Sequence, residues 1–355
     1  MRTSRRASIA VAGIAVALAT SAVVLRGPRP AARLAANALV PLVPLARAEE
    51  PLPAPSPLPP KPASAALPAP RERADAHLVR SWRAPLAGGL LTFPPSFASE
   101  DGRYDLIIHL NGNTDLVEES YGYAGVNAVV MILNLGVGSG VYEDRFADPA
   151  AFSLILDRVQ STLVERGLRT PKLGRVAVSG WSSGYGGVIK LLQHDAIFDR
   201  IDAVVLFDSI HCGIEPWSGK LKADQIEPIR RFAQKAVEGR ALLSITHSEI
   251  ETYGYTNAHK TTDAVLATVG MTRRATAREQ PMPLLRSMVG VLPKRQMRPL
   301  APLTEAHRGG LHVRGYDGNG PITHMLHLVQ MSTTALPDLV AYWGASRPDD
   351  QATSK

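Results

Sequence analysis

The chain has 355 residues, 45% of them hydrophobic and 20% charged, which is enough for a sizeable core and too apolar for a disordered chain. Its net charge of +7 is not gathered into a Lys/Arg stripe with interleaved aromatics, so nucleic-acid binding is set aside. Cys212 is the only cysteine, which excludes an intramolecular disulfide framework and reads as a small buried hydrophobe.

Four segments follow in chain order. Residues 1–48 read as a signal peptide or N-terminal anchor with its flank: Arg2, Arg5 and Arg6 precede the uncharged run from Ile9 to Leu25. Ser4-Arg5-Arg6-Ala7-Ser8-Ile9 matches a twin-arginine signal in part. Small-x-small cleavage triplets stand at Ala19-Thr20-Ser21 and, far downstream, at Ala46-Arg47-Ala48. The run of 17 residues is borderline for a membrane span. A cleaved signal gives a periplasmic or extracellular protein; an uncleaved one gives association with the membrane or envelope. Residues 49–77 read as a linker, because nine of the twenty residues from Pro51 to Pro70 are proline and favour extended polyproline II. Residues 78–345 read as one folded domain, and 346–355 as a polar tail.

Within the domain, strand and helix signals alternate. Gly89 to Phe93 and Asp105 to Leu110 read as strands, the second apolar enough to be buried on both faces. Val126 to Leu135 is the next strand, and Asp148-Pro149 opens a helix that runs to about Glu165. Arg175 to Val178 and Ile201 to Phe207 are strands, Gln225 to Glu238 a helix, and Ala241 to Thr246 a strand. An Arg-rich excursion (270–308) separates these from a last strand, Leu311 to Tyr316, and a closing helix from Ile322 to Trp343. The excursion reads as a solvated basic loop, with a lid or an anionic-surface contact as rival readings. This alternation predicts a mainly parallel central sheet flanked by helices, whose reactive groups gather at the carboxyl ends of the strands.

The chemistry centres on Gly180-Trp181-Ser182-Ser183-Gly184, entered by the β-branched run Val176-Ala177-Val178 and left by Val188-Ile189-Lys190-Leu191-Leu192 at helical spacing. Gly-x-Ser-x-Gly between a strand and a helix is the pattern of a nucleophile elbow. The tight turn pushes its serine towards positive φ, and backbone packed on both sides demands glycine two residues before and after. The hydroxyl then stands at a helix N-terminus, where free N–H groups favour negative charge. Gly136-Val137-Gly138-Ser139-Gly140 lacks the third glycine of a dinucleotide loop and reads as a loop near the site.

On these residues the chain resembles the α/β-hydrolase superfamily over about residues 86–345. It is also similar to exported bacterial α/β-hydrolase-like proteins through Ser179-Gly180-Trp181-Ser182-Ser183-Gly184-Tyr185, Asp208-Ser209-Ile210-His211 and Thr246-His247-Ser248. The resemblance implies a serine nucleophile, an acid after a later strand and a histidine near the final helix. Ser182 is then the nucleophile and His324 the base, with His327, one turn on, structural. Asp208 is the favoured acid, because a carboxylate abutting a buried strand is costly without a partner. Glu249 and Glu251 follow the next strand, where the superfamily more commonly places its acid, and are the alternatives. An oxyanion hole would use the Ser183 amide and a donor from Asn111 or Gly112, where the sequence departs from the His-Gly form of many relatives. Trp181, His211 and His247 would line the pocket or bond strand ends. His324-x-x-His327 lacks the Glu of a zincin motif, so no metal and no cofactor is expected. The reading is an exported serine hydrolase acting on a small-molecule ester or acyl substrate. An amidase or peptidase with the same triad, or a non-catalytic envelope binding protein, are the rivals.

Overall fold

The computed structural model describes residues 82–99 and 101–345. The expected signal or anchor (1–48), linker (49–77) and polar tail (346–355) lie outside the described residues.

A hairpin opens the fold: β1 (Arg83–Leu86) and β2 (Gly89–Thr92) pair antiparallel around Ala87 and Gly88, both at positive φ. Next come β3 (Arg103–Leu110), helix α1 (Thr114–Tyr123), β4 (Val129–Leu133), α2 (Ser139–Arg145), α3 (Ala150–Glu165) and β5 (Lys172–Trp181). A 3₁₀ turn (Ser182–Gly184) leads into α4 (Tyr185–Leu192), followed by α5 (Asp195–Arg200), β6 (Ala203–Phe207) and β7 (Cys212–Gly213). Then follow α6 (Ala223–Val237), β8 (Leu242–His247), β9 (Tyr255–Thr256), α7 (Ala258–Thr268) and β10 (Arg274–Ala275). The fold closes with β11 (Pro302–Arg308), β12 (Leu311–Tyr316) and three helices, α8 (Pro321–Val329), α9 (Met331–Thr334) and α10 (Leu336–Gly344).

Ten strands form one sheet in the order β1-β2-β4-β3-β5-β6-β8-β12-β11-β10. The six from β4 to β12 run parallel, and antiparallel strands occupy both edges. The architecture is α/β-hydrolase-like: a mainly parallel sheet with helices on both faces. Side chains of the central strands alternate between two cores, as a period of two requires. Val204 and Leu206 of β6 join one cluster, while Ala203, Val205 and Phe207 join the other. β7 and β9 form a separate two-stranded ribbon.

The structure adds to the sequence reading in several places. Helix α1 follows the Asn111-Gly112-Asn113 turn, and the Asn113 side chain caps it by accepting from the Leu116 amide at 3.0 Å. The stretch expected to be a glycine-rich loop starts α2 at Ser139. The single closing helix is broken into α8, α9 and α10, where Gln330 turns its side chain to the Leu300 amide and the Arg298 carbonyl and Pro337 starts the last piece. The basic excursion holds β10 and β11 and packs Leu285, Met288, Leu292 and Leu300 into the core, while Arg278, Arg286, Lys294, Arg295 and Arg298 stay exposed. Glu119 of α1 fastens it by accepting the amides of Arg286 and Ser287 at 2.7 and 2.8 Å.

Candidate active site

Ser182 directly follows β5 with φ at +53°, a left-handed conformation that a non-glycine residue holds only where its surroundings enforce it. The enforcement comes from the flanking glycines. A Cβ at Gly184 would run into the Leu110 carbonyl oxygen of the neighbouring strand, and one at Gly180 would stand 3.3 Å from the Gly184 backbone. The elbow is therefore pressed against the end of β3. Ser182 and Ser183 are half-buried, and the Ser183 amide lies in the first turn of the helical segment, where N–H groups have no intrahelical partner.

Asp208, also at positive φ (+44°), directly follows β6, and its amide donates to the Thr246 carbonyl at 2.8 Å. Its carboxylate is buried and fully engaged. Oδ1 accepts the Ser248 amide at 2.8 Å, the Ser248 hydroxyl lies 2.9 Å from both oxygens, and Oδ2 faces His324 Nδ1 at 2.7 Å. Burial by itself would raise its pKa. The facing imidazoles of His327 and His324 and the Ser248 amide outweigh that and hold the carboxyl below the usual carboxylate range. An ionised Asp208 accepts the Nδ1 proton of His324, so Nε2 is left as the basic nitrogen of that ring.

Trp181 couples the elbow to this pair. Its ring stacks on that of His324 with centroids 4.7 Å apart and planes at 29°, and its Nε1–H donates to the His324 carbonyl at 3.1 Å. Ser182 is thus covalently next to the residue that covers the imidazole. The Ser182 hydroxyl itself makes no hydrogen bond to another described residue.

Asn111, at φ +70°, holds the turn beside the elbow, but its amide donates to the Leu133 carbonyl at 2.9 Å and is not free to face an oxyanion. Its side chain acts as a latch instead: Nδ2 donates to the Trp181 carbonyl (3.0 Å) and the Ser183 hydroxyl (3.1 Å), and Oδ1 accepts from Tyr142 (3.1 Å). The Gly112 amide makes no hydrogen bond to another described residue. Behind this turn His109 is wholly buried, with Nδ1 facing Ser179 Oγ at 2.7 Å and Nε2 facing the Asn111 carbonyl at 2.9 Å. Burial lowers its pKa to about 3, so it braces the turn as a neutral ring.

The other carboxylates stand elsewhere. Glu249 faces Arg273 at 3.4 Å, and Glu251 faces Lys260 at 2.8 Å and Asn257 at 2.9 Å; neither meets His324. His247 bridges strand ends: its Nε2 accepts from Arg273 at 3.3 Å, and Nδ1 faces the Ser248 carbonyl at 3.2 Å. Burial and the Arg273 charge lower its pKa to about 3. His211 holds the Ser209 carbonyl through Nδ1 at 2.8 Å and accepts from Ser139 at 3.1 Å. His327 is fully buried with Nδ1 on Thr246 Oγ1 at 2.9 Å, and burial lowers its pKa to about 4. Sequence reasoning missed Ser248, Ser139 and Tyr142. The first had a signal, a hydroxyl just beyond the end of β8; the other two lie on α2, where Ser139 falls in the stretch read as loop and Tyr142 two residues beyond it.

No protein-family model and no curated protein sequence matches the chain. Solved structures with similar folds include Est1E from Butyrivibrio proteoclasticus (9% identity, TM-score 0.37, covering 75% of this chain and 100% of that one). Others are TT1662 from Thermus thermophilus (15%, 0.40, 75% and 99%) and the enterobactin esterase FES from Shigella flexneri (10%, 0.43, 78% and 65%).

Proposed function

We propose that the protein is an exported serine hydrolase that cleaves a carboxylic ester through an acyl-enzyme. One observation carries the reading: a buried, ionised Asp208 bonded at 2.7 Å to a histidine whose ring is stacked on the residue preceding a strained, half-buried serine. In the reaction, Ser182 Oγ attacks the ester carbonyl while His324 Nε2 takes its proton. The same proton passes to the departing alcohol, and water repeats the sequence to release the acid. Asp208 orients the ring and stabilises the imidazolium, and the Ser183 and Gly112 amides receive the oxyanion. The hydroxyl-to-imidazole hydrogen bond then forms in the complex, as catalytic bonds that are long in a free enzyme commonly do. Export rests on the sequence of residues 1–48 alone.

A fluorophosphonate probe tests the hydrolytic reading. Labelling of the wild-type protein and its loss in Ser182→Ala is the expected result; equal labelling of both overturns the assignment. A non-catalytic binding protein of the same fold is the second reading, favoured by the unbonded Ser182 hydroxyl, and an unlabelled wild-type protein would support it.

A further inference from the structure

β5 and β6 lie side by side in the sheet with Trp181 opposite Phe207, so the residues that follow them, Ser182 and Asp208, leave neighbouring strand ends. The two strands hold His324 in different ways. Asp208 Oδ2 meets the ring at its Nδ1 edge at 2.7 Å, whereas the Trp181 indole lies over its face, with centroids 4.7 Å apart and planes at 29°. The indole is pinned there: its Nε1–H donates to the His324 carbonyl (3.1 Å), and the Trp181 carbonyl accepts from Asn111 Nδ2 (3.0 Å). His324 is 6% exposed, so the covered ring is largely shut off from water. Of the titratable groups around it, Asp208 carries its charge, and His327 on the same helix is held neutral by burial.

We propose that Trp181 is a positioning residue that stabilises the positive charge of His324, by a cation–π contact, as the ring takes the Ser182 proton. Its role in turnover rests on the hydrolase reading; the contact itself is testable without turnover. In the attack the Oγ–carbon bond forms as the Oγ–H bond breaks. The proton goes to His324 Nε2, and the electron pair of the carbonyl π bond goes to the carbonyl oxygen. The imidazole becomes an imidazolium whose charge spreads over the whole ring, under the indole face. An aromatic face attracts a cation within about 6 Å of its centroid, most strongly when the ring is tryptophan and the pair is desolvated. The neutral imidazole gains far less from the same contact, so the contact is tighter in the transition state than before it. The carboxylate fixes the tautomer from the edge, and the indole supports the charge from above.

The test uses the full chain with tryptophans bearing one, two or four ring fluorines placed at residue 181 alone. Fluorine drains the π-face while keeping the ring's shape and its N–H donor, and this placement leaves the Arg166–Trp82 and Arg175–Trp343 contacts intact. On p-nitrophenyl acetate, kcat should fall stepwise with fluorine number at constant KM. The acid limb of the pH–rate profile should move to lower pH, because a less stabilised imidazolium gives up its proton sooner. Trp181→Leu should lower kcat about tenfold, and Trp181→Phe, which keeps a π-face, should recover most of the loss. In the Ser182→Ala protein, the His324 ring protons followed by NMR should titrate at progressively lower pH along the same series. That measurement decides the contact even where a wild-type protein unlabelled by the fluorophosphonate probe has overturned the hydrolase reading. A kcat independent of fluorine number, an acid limb or a His324 titration that stays in place, or losses carried by KM overturn the proposal.

Discussion

β6 and β8 are neighbours in the sheet and end on the same edge, yet the carboxylates that follow them meet opposite fates. Asp208 is buried, takes two hydrogen-bond donors from Ser248, and turns its remaining oxygen to His324. Glu249 and Glu251, one turn away on the β8 loop, are more open to solvent and are absorbed by Arg273, Lys260 and Asn257. Position after a strand does not make a carboxylate the partner of a histidine. Burial does, because a desolvated charge is tolerable only when every lone pair is matched, and the matching partners then fix its direction. The more open pair is met by cations beside it, Arg273 for Glu249 and Lys260 for Glu251, and turns no oxygen towards His324.

The contrast is sharpest in kinetics. Asp208→Asn should lower kcat on a chromogenic ester about 10⁴-fold by reversing the histidine tautomer, whereas Glu249→Gln should stay within about twofold of wild type. Comparable losses in the two variants would break the distinction. Ser248→Ala comes next. It removes the hydroxyl donor shared by both Asp208 oxygens but keeps the amide, and it should lower kcat roughly tenfold with KM unaltered; an unchanged kcat would show that the amide alone orients the carboxylate.

A further effect is on stability against pH. His327 is buried neutral beside Asp208, with its pKa lowered to about 4. Its contribution is complete above the unfolded value near 6.5, fades as pH falls from there, and stops changing below about 4. Within that window the buried ring adds about 1.4 kcal/mol per pH unit to the acid dependence. His327→Gln should flatten the urea-unfolding free energy between pH 6.5 and 4 by up to that slope. Curves parallel to wild type across the window would contradict a neutral buried ring at this position.

Much of the fold could be read from the chain because buried parallel strands announce themselves: Asp105 to Leu110 and Ile201 to Phe207 are near-continuous apolar runs. Elements that escaped had weak local signals. β1 is four residues with one buried side chain, and α1 hides behind an Asn-Gly-Asn turn whose last asparagine is its cap. The break of the final helix at Gln330 depends on partners at Arg298 and Leu300, some 30 residues earlier, which no local periodicity can register.

The amino-acid order alone pointed to a serine in a bend, since a β-branched run enters Gly180 and helical spacing leaves Gly184, and it pointed to the strands that are buried on both faces. Only the tertiary structure decided which carboxylate meets His324, and that the Asn111 amide is already engaged with Leu133. Each of those outcomes depends on which strand ends become neighbours, and that is settled by sheet order and packing across long stretches of chain.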